Sequence, residues 1–185
     1  MTLLGTSADS RDTRQFNARE LRAAFGHFPT GVCVITGMQP DGTPFGLTVS
    51  SFQTLSLDPA LILYSVRRGA ASLDFLSRRA CFAVNILQAG QDWIARQFAS
   101  HCRDRFASVA WQASRRGNPL LHDALARFEC SVWKTYDGGD HVIVIGQIND
   151  IDGLQGGKPL IFHRGGFVPV PDLRSSHHPA DGAPT

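Results

Sequence analysis

The chain has 185 residues, of which 43% are apolar, and its formal net charge is +2, from 18 Lys and Arg against 16 Asp and Glu. This length predicts one domain with its own hydrophobic core. The nearly balanced charge gives no indication of nucleic-acid binding or of attraction to a membrane surface, and no apolar run approaches the length of a bilayer span.

The cysteine pattern gives no indication of a zinc site or a thioredoxin-type motif. The four cysteines lie far apart and none forms a C-x-x-C pair. Cys33, Cys81 and Cys130 lie in apolar runs and are interpreted as small buried hydrophobic residues. The N-terminal sequence is polar and lacks the apolar stretch of a secretory signal, so a reducing, cytoplasmic location is expected.

The two ends of the chain differ in composition from its middle. Residues 1–14 are polar and show no periodicity, and residues 172–185 are rich in Pro, Ser, His, Gly and Ala. Both ends are predicted to lack fixed structure, which leaves one domain over residues 15–171. The pair His177-His178 lies in the C-terminal tail and is interpreted as solvated rather than as a metal site.

Strands outnumber helices in the predicted middle region. Asn17 and Glu20 form a capping-box pattern at the first helix. Helices are predicted over residues 17–28, 72–79 and 91–99. Strands are predicted over residues 32–36, 45–49, 61–66, 81–87, 126–136, 141–151 and 160–163. Six or more strands with only short helices between them predict a barrel rather than a doubly wound sheet. The segment 101–119 is predicted as a loop, and its length suggests a functional one.

The common catalytic and nucleotide-binding motifs are missing from the sequence. No G-x-G-x-x-G run follows a predicted strand, and no Walker A, G-x-S-x-G or H-E-x-x-H pattern occurs. If the protein is an enzyme, a bound organic cofactor is therefore expected to supply its chemistry.

Two short segments carry the polar groups that a phosphate-bearing ligand needs. Residues 46–52 read GLTVSSF and follow the segment FPTGV at residues 28–32. A threonine and two serines at a strand end offer hydroxyls and backbone N–H groups at one place. An ordinary polar strand end followed by a turn is the alternative interpretation of the second segment.

These two segments together resemble the flavin reductase-like family, the FMN-binding split barrels. Residues 139–146, GDHVIVIG, are similar to the family's GDHxIxxG hairpin, and residues 159–167 are similar to its closing stretch. The resemblance extends over residues 16–167. It implies a mainly β fold, a Greek-key-like split β-barrel with short flanking helices. It also implies a homodimer with the flavin near the subunit interface.

The resemblance further implies which residues contact the flavin and the nicotinamide. Residues 67–72 match the family's phosphate loop, although Ala70 and Ala71 replace hydroxyl residues there, and residues 105–106 match its RF dipeptide. His141 is implied as the catalytic residue on the nicotinamide side, together with Phe167. The implied flavin-binding residues are Pro29, Thr30, Thr48, Val49, Ser50, Ser51, Ser65, Arg67, Ser72, Arg105 and Phe106.

For three of these residues the sequence leaves a purely structural role open. Ser72 is equally well explained as a helix N-cap. A surface ion pair with Asp104 or another acidic residue is the alternative for Arg105. A hydrogen bond to the neighbouring aspartate or to the turn is the alternative for His141.

The resemblance implies an NAD(P)H-dependent flavin reductase that supplies reduced FMN or FAD to a separate monooxygenase component, a transient partner. One alternative is a flavin-binding oxidase or electron carrier with tightly held FMN. The other is a non-enzymatic split-barrel module that binds flavin or heme. The sequence does not choose between FMN and FAD or between NADH and NADPH, and no metal, nucleic-acid or membrane partner is expected.

Overall fold

The computed structural model of the protein describes residues 15–70, 73, 81–154 and 156–170. The predicted N-terminal arm, the C-terminal tail with its histidine pair, and the predicted helix over residues 72–79 lie outside the described residues. Ser72 lies outside them as well.

The described elements are mostly strands. The helices are α1 (Ala18–Phe25) and α2 (Asp92–Ala99). The strands are β1 (Thr30–Gly31), β2 (Cys33–Met38), β3 (Pro44–Val49), β4 (Gln53–Leu57), β5 (Ala60–Arg67), β6 (Cys81–Ile86), β7 (Trp111–Ala113), β8 (Pro119–Leu121), β9 (Ala126–Gly138), β10 (His141–Asp152), β11 (Ile161–His163) and β12 (Gly166–Val168).

Seven strands form one antiparallel sheet in the order β3-β2-β6-β9-β10-β5-β4. Its edge strands β3 and β4 are nevertheless consecutive in the chain and are joined only by residues 50–52. A flat seven-stranded sheet would separate its edges by about 29 Å, whereas this linker spans at most about 14 Å. The sheet must therefore curl until its two edges face each other. This is the split barrel that the sequence predicts, and the mainly β fold class is confirmed.

Strand β2 is buried on both faces, and this places helix α2 beside the barrel. Cys33 and Ile35 pack in a cluster whose buried members all come from the seven-stranded sheet. Val32 and Val34 point the other way, because side chains alternate along a strand, and they pack in a second cluster that includes Phe98 of α2. The second cluster holds α2 against the outside of the barrel near β3.

The prediction for the first helix is confirmed at its start and wrong at its end. The Asn17 side chain accepts from the backbone of Glu20, and the Glu20 carboxylate accepts from the backbone of Asn17, so the capping box is complete. The helix ends at Phe25 rather than at Phe28, and Gly26 caps it. None of its residues is buried within this chain.

Three other predictions about local structure are also corrected. Strand β4 was not predicted, because four of its five residues are exposed and it lacks an alternating pattern. The predicted loop over residues 101–119 contains strand β7, which pairs with β8. The sequence predicts that Trp93, Ile94, Gln97 and Phe98 share one face of α2, but the buried residues of this helix are Ile94, Ala95 and Phe98, and Trp93 is 45% exposed.

Two features are absent from the described part of the chain. No helix there is long and apolar enough to cross a membrane. No group of three or more His, Cys, Asp or Glu side chains in that part is placed to hold a metal ion.

Candidate active site

An open cleft with a volume of about 740 Å³ lies at the seam where the edge strand β3 approaches strand β5. Its walls come from β3, from Ser50 and Ser51 of the linker, from β5 and the loop that follows it, from the end of α2 and the segment after it, and from the start of β10. The sequence-predicted residues that line it are Thr48, Val49, Ser50, Ser51, Ser65, Arg67, Arg105 and His141. Residues from distant parts of the sequence thus meet at one place.

Two of the predicted hydroxyls hold the walls of the cleft together. Thr48 Oγ1 donates to the carbonyl of Ala95 at 2.7 Å and so ties β3 to α2. Ser51 Oγ accepts from the Ser65 backbone N–H at 2.9 Å and donates to the Ser65 carbonyl at 3.2 Å, which fixes the linker to β5. Ser50 lies between these contacts and is exposed, so its hydroxyl can face a ligand.

Strand β3 presents an unpaired backbone edge to the cleft, because among the described strands it pairs only with β2. The carbonyl of Gly46 points away from β2 and accepts from Arg105 Nη1 at 3.0 Å. Alternate residues of an edge strand direct their N–H and C=O groups the same way, so Thr48 also directs its backbone groups outward. This edge supplies the donors and acceptors that a planar heterocycle with amide-like groups needs.

The Arg105 side chain bridges the loop after α2 and the edge of β3. Besides Gly46 it contacts the carbonyl of Ser100, through Nε at 3.0 Å and Nη2 at 2.7 Å. The alternative ion pair with Asp104 is not found, because the Asp104 carboxylate accepts from the backbone of Phe106 and Ala107. Three of the five guanidinium N–H groups are engaged in this way and two remain for a ligand.

The described lining of the cleft is positively charged. It contains Arg67, Arg68 and Arg105 and no carboxylate. An anionic ligand can therefore meet the guanidinium groups of Arg67 and Arg105, whereas that of Arg68 is paired with the carboxylate of Asp137 outside the lining. The lining is partly open to solvent, so each contact is weaker than a fully buried one.

Arg68 fastens the turn between β9 and β10 to the loop after β5. Its Nε donates to the carbonyl of Gly139 at 2.7 Å, and its Nη2 lies 2.7 Å from the carboxylate of Asp137. Its backbone N–H donates to the carbonyl of Asp140 at 2.8 Å. The hydrogen bond from Arg68 is the main cause that lowers the pKa of Asp137, and a backbone N–H of the turn adds to it. This turn immediately precedes His141.

His141 begins β10 at the mouth of the cleft, and its Nδ1 lies 2.7 Å from the Asp140 carboxylate. Contact with His141 lowers the pKa of Asp140, so that carboxylate stays ionised and acts as acceptor. Nδ1 must then carry the hydrogen, and Nε2 is left to face a ligand. The structural alternative for His141 is thus realised, and it also orients the ring.

The structure does not bring four of the predicted residues into the described lining of this cleft. Pro29 precedes β1, where Thr30 pairs with Phe162 of β11. The Phe106 ring packs edge-to-face against Phe98, with ring centroids 4.9 Å apart. Phe167 lies on β12, where the Arg96 guanidinium lies 4.9 Å from its ring centroid.

Sequence reasoning missed several residues that line the cleft. Phe98, Ala99 and His101 come from the end of α2 and the residues after it, and Gly69 and Ala70 come from the loop after β5. No motif marks the α2 residues. The one usable signal is the apolar periodicity of α2, which indicates a packed helix and not a ligand site.

Comparison with known proteins identifies the family. Residues 25–171 match the model of the flavin reductase like domain. The reductase component of a flavin-dependent trigonelline monooxygenase from Acinetobacter baylyi is 40% identical over 149 residues, which are 80% of this chain and 48% of that protein. The reductase subunit HsaB of a flavin-dependent monooxygenase from Rhodococcus jostii is 35% identical over 164 residues, 89% of this chain and 81% of that subunit.

A solved structure is similar as well. The NADH:FAD oxidoreductase SgcE6 from Streptomyces globisporus, in complex with NAD and FAD fragments, superposes with a TM-score of 0.81 at 36% identity. The match covers 84% of this chain and 94% of that one. The chain belongs to the flavin reductase-like family. It spans about half the length of some curated relatives, including a probable flavin reductase from Rhizobium meliloti at 49%.

Proposed function

We propose that the protein is an NAD(P)H-dependent flavin reductase that supplies reduced FMN or FAD to a separate monooxygenase. The observation that carries this proposal is the open cleft beside strand β3. Its described lining combines the unpaired edge of β3, the exposed hydroxyl of Ser50 and three arginines, and it contains no carboxylate. The names of its relatives, which include several reductase components of flavin-dependent monooxygenases, support the same conclusion.

The residues of the cleft fit a flavin phosphate and ring. Arg67 and the two remaining N–H groups of Arg105 offer charge-assisted contacts to phosphate oxygens. The outward backbone groups of Thr48 suit the polar edge of the ring system, and the Ser50 hydroxyl can add a further contact. Ser51 and Ser65 contribute by holding the linker in place rather than through free hydroxyls.

His141 is proposed to lie beside the nicotinamide. When bound, the flavin supplies the chemistry by accepting a hydride from the reduced nicotinamide. The protein contributes proximity and orientation, which suffice to accelerate a transfer between two held rings. His141 presents Nε2 at the mouth of the cleft, where it can hold the carboxamide. No side chain has to act as a strong acid or base.

Steady-state absorbance tests this function. Protein mixed with FMN or FAD and with NADH or NADPH should oxidise many equivalents of nicotinamide nucleotide in air. A single stoichiometric change would instead identify an electron carrier, and no change would identify a binding module. The same measurement with each flavin and each nicotinamide nucleotide gives the preferred pair.

The flavin is proposed to leave after reduction. Three of the five N–H donors of Arg105 bond protein carbonyls, and Arg68 contacts Gly139 and Asp137 through its Nε and Nη2, so few charge-assisted contacts remain for a ligand. Reduction of cytochrome c across a dialysis membrane that passes only flavin would demonstrate release. If no reducing equivalents cross while the reductase turns over, the flavin is retained.

A homodimer and a cytoplasmic location complete the proposal. Large apolar side chains remain exposed in the single chain, with Leu57 96% and Leu154 80% exposed, which is typical of a surface that another chain covers. All four cysteines are free, as expected in a reducing compartment. Sedimentation equilibrium at several concentrations measures the mass in solution, and a monomer at all of them would contradict the dimer.

A further inference from the structure

A small pocket lies on the outside of the barrel, between the β7–β8 hairpin and the strands β9 and β10. Its volume is about 200 Å³, and its lining consists of residues 112–115, Leu120, Arg127, Glu129, Asp150 and Asp152. Phe128 and Cys130 pack in the core of the barrel, so the alternate residues Arg127 and Glu129 of β9 point outward into the pocket.

This pocket is separate from the first cleft, the open cleft beside β3. Strand β10 begins at the first cleft with His141 and ends at the pocket with Asp152. The strand has 12 residues, so its two ends are roughly 35 Å apart along the chain. No residue lines both the pocket and the first cleft. The pocket therefore has no part in the flavin site proposed above.

The pocket lining carries more negative than positive charge. On the outer face of the sheet, Asp152 lies opposite Arg127, and the Arg127 Nη2 is 3.1 Å from the Asp152 carboxylate. Asp150 lies opposite Glu129, which places two carboxylates at one cross-strand position, an unfavourable pairing. With the exposed Arg115, the lining has two guanidinium groups and three carboxylates, a formal charge of −1.

Glu129 is the buried acceptor of this pocket. It is only 5% exposed and forms no recorded ion pair with another described residue. Its Oε1 accepts from Ser114 Oγ and, at 3.1 Å, from Asn118 Nδ2, whereas its Oε2 has no recorded donor among the described residues. The Asn118 Oδ1 in the same network is buried and has no hydrogen-bond partner either. A buried carboxylate is costly unless a cation or further donors compensate it, so this network calls for a cationic donor.

We propose that this pocket binds an organic cation, whose guanidinium or primary ammonium group lies between Glu129 and Asp150. Either group brings a positive charge and several N–H donors, and a planar guanidinium can bond two carboxylates at once. The three carboxylates are not placed to hold a metal ion together. The volume is below the range of about 300–1,000 Å³ that is typical for drug-sized ligands, so a single head group with its alkyl stem suits it. The sources of such a group are a free amine and an arginine or lysine side chain of a second copy of this chain.

Binding of ethylguanidinium to the full chain, followed by two-dimensional NMR of the backbone amides, tests the proposal. In wild type the amide signals of the pocket residues should shift and reach saturation, with a Kd on the order of 1 mM. Tetramethylammonium carries the same charge but has no N–H donor, so it should give no saturable shift there. Equal binding of the two cations would reduce the effect to unspecific charge attraction and overturn the proposal.

Two pocket variants and a matched control locate the site. Glu129→Gln should weaken ethylguanidinium binding at least tenfold, because it removes the charge and keeps an acceptor for Ser114 and Asn118. Asp150→Asn should weaken it about three- to tenfold, and this exposed position keeps the test decisive if the first variant does not fold. Asp123→Asn is the control, because Asp123 is exposed and lines no part of the pocket, and asparagine tolerates its φ of 57°. It should leave the Kd within twofold, and an equal Kd in all variants would overturn the site.

Arg115→Gln decides whether the exposed arginine is itself the cation of the pocket. Saturable binding to wild type that becomes up to about threefold tighter in this variant would support the proposal. Binding that occurs only in this variant would overturn it.

Sedimentation equilibrium with and without ethylguanidinium distinguishes the two sources. A mass that falls toward that of the monomer as the probe saturates the pocket would assign the group to a second copy of this chain. An unchanged mass at saturation would assign it to a free amine. Both outcomes support the site and depend on no reductase assay, so a failure of the proposed function would leave them unaffected.

Discussion

Replacement of Gly46 by alanine should destabilise the protein and weaken flavin binding together. A Cβ at this position would lie 2.4 Å from Cε1 and 2.6 Å from Cδ1 of Phe98. Phe98 is almost completely buried and packs edge-to-face against Phe106, so it cannot yield without disturbing the second core cluster. Overpacking of this kind costs about 1–3 kcal/mol. For a chain of this length each kcal/mol lowers Tm by about 2–4 °C, so a decrease of about 2–12 °C is expected.

Differential scanning calorimetry and flavin titration measure the two effects, and Gly31→Ala is the matched control. Gly31 also lies in a strand, but a Cβ there meets no atom within 4 Å. Its replacement should leave Tm unchanged or raise stability by about 0.4–1 kcal/mol, because alanine restricts the unfolded chain. Flavin affinity should fall only for Gly46→Ala, since Phe98 also lines the first cleft. Equal Tm values for the two variants would refute the packing argument.

Three further predictions concern single side chains. Arg105→Lys should weaken flavin binding about tenfold, because an ammonium cannot reproduce the guanidinium contacts to two carbonyls. It should leave kcat at saturating flavin nearly unchanged. An unchanged Kd in flavin titrations would contradict a role of Arg105 in flavin binding. Arg68→Ala should raise the KM for NAD(P)H about two- to fivefold, because it loosens the turn before His141. An equal rise in the Kd for flavin would instead show that Arg68 contacts the flavin phosphate. In native protein a thiol reagent should label the exposed Cys102 within minutes and spare Cys33, because burial raises the pKa of the Cys33 thiol to about 12. Mass spectrometry of the labelled peptides measures this. Rapid labelling of Cys33 would show that its strand opens.

The parts of the structure that the sequence predicts depend on local patterns. The capping box at Asn17, the β2–β3 hairpin and the β9–β10 hairpin each depend on residues close in sequence, and each is present. Strand β4 was missed because its place at the barrel seam leaves most of its side chains in solvent. Its pairing with β5, and not an alternating pattern, makes it a strand.

The roles of the site residues depended on contacts that a sequence does not display. Thr48 bonds a carbonyl 47 residues away, and Arg105 bonds one 59 residues away. Both residues were predicted to contact the ligand, and both also hold the walls of the site. For Arg105 the alternative of an ion pair with the adjacent aspartate was wrong, because backbone N–H groups of the same loop bond that carboxylate.

The three-residue linker between the two edge strands has a consequence for folding. Because the cleft exists only where β3 has been brought up to β5, a chain that has not closed its sheet has no place for a ligand. Any ligand of the cleft therefore stabilises the closed state alone, by about 2.7 kcal/mol at a free concentration one hundred times its Kd. Cells with abundant ligand would thus hold a larger fraction of this chain in its closed form and expose less of it to proteolysis.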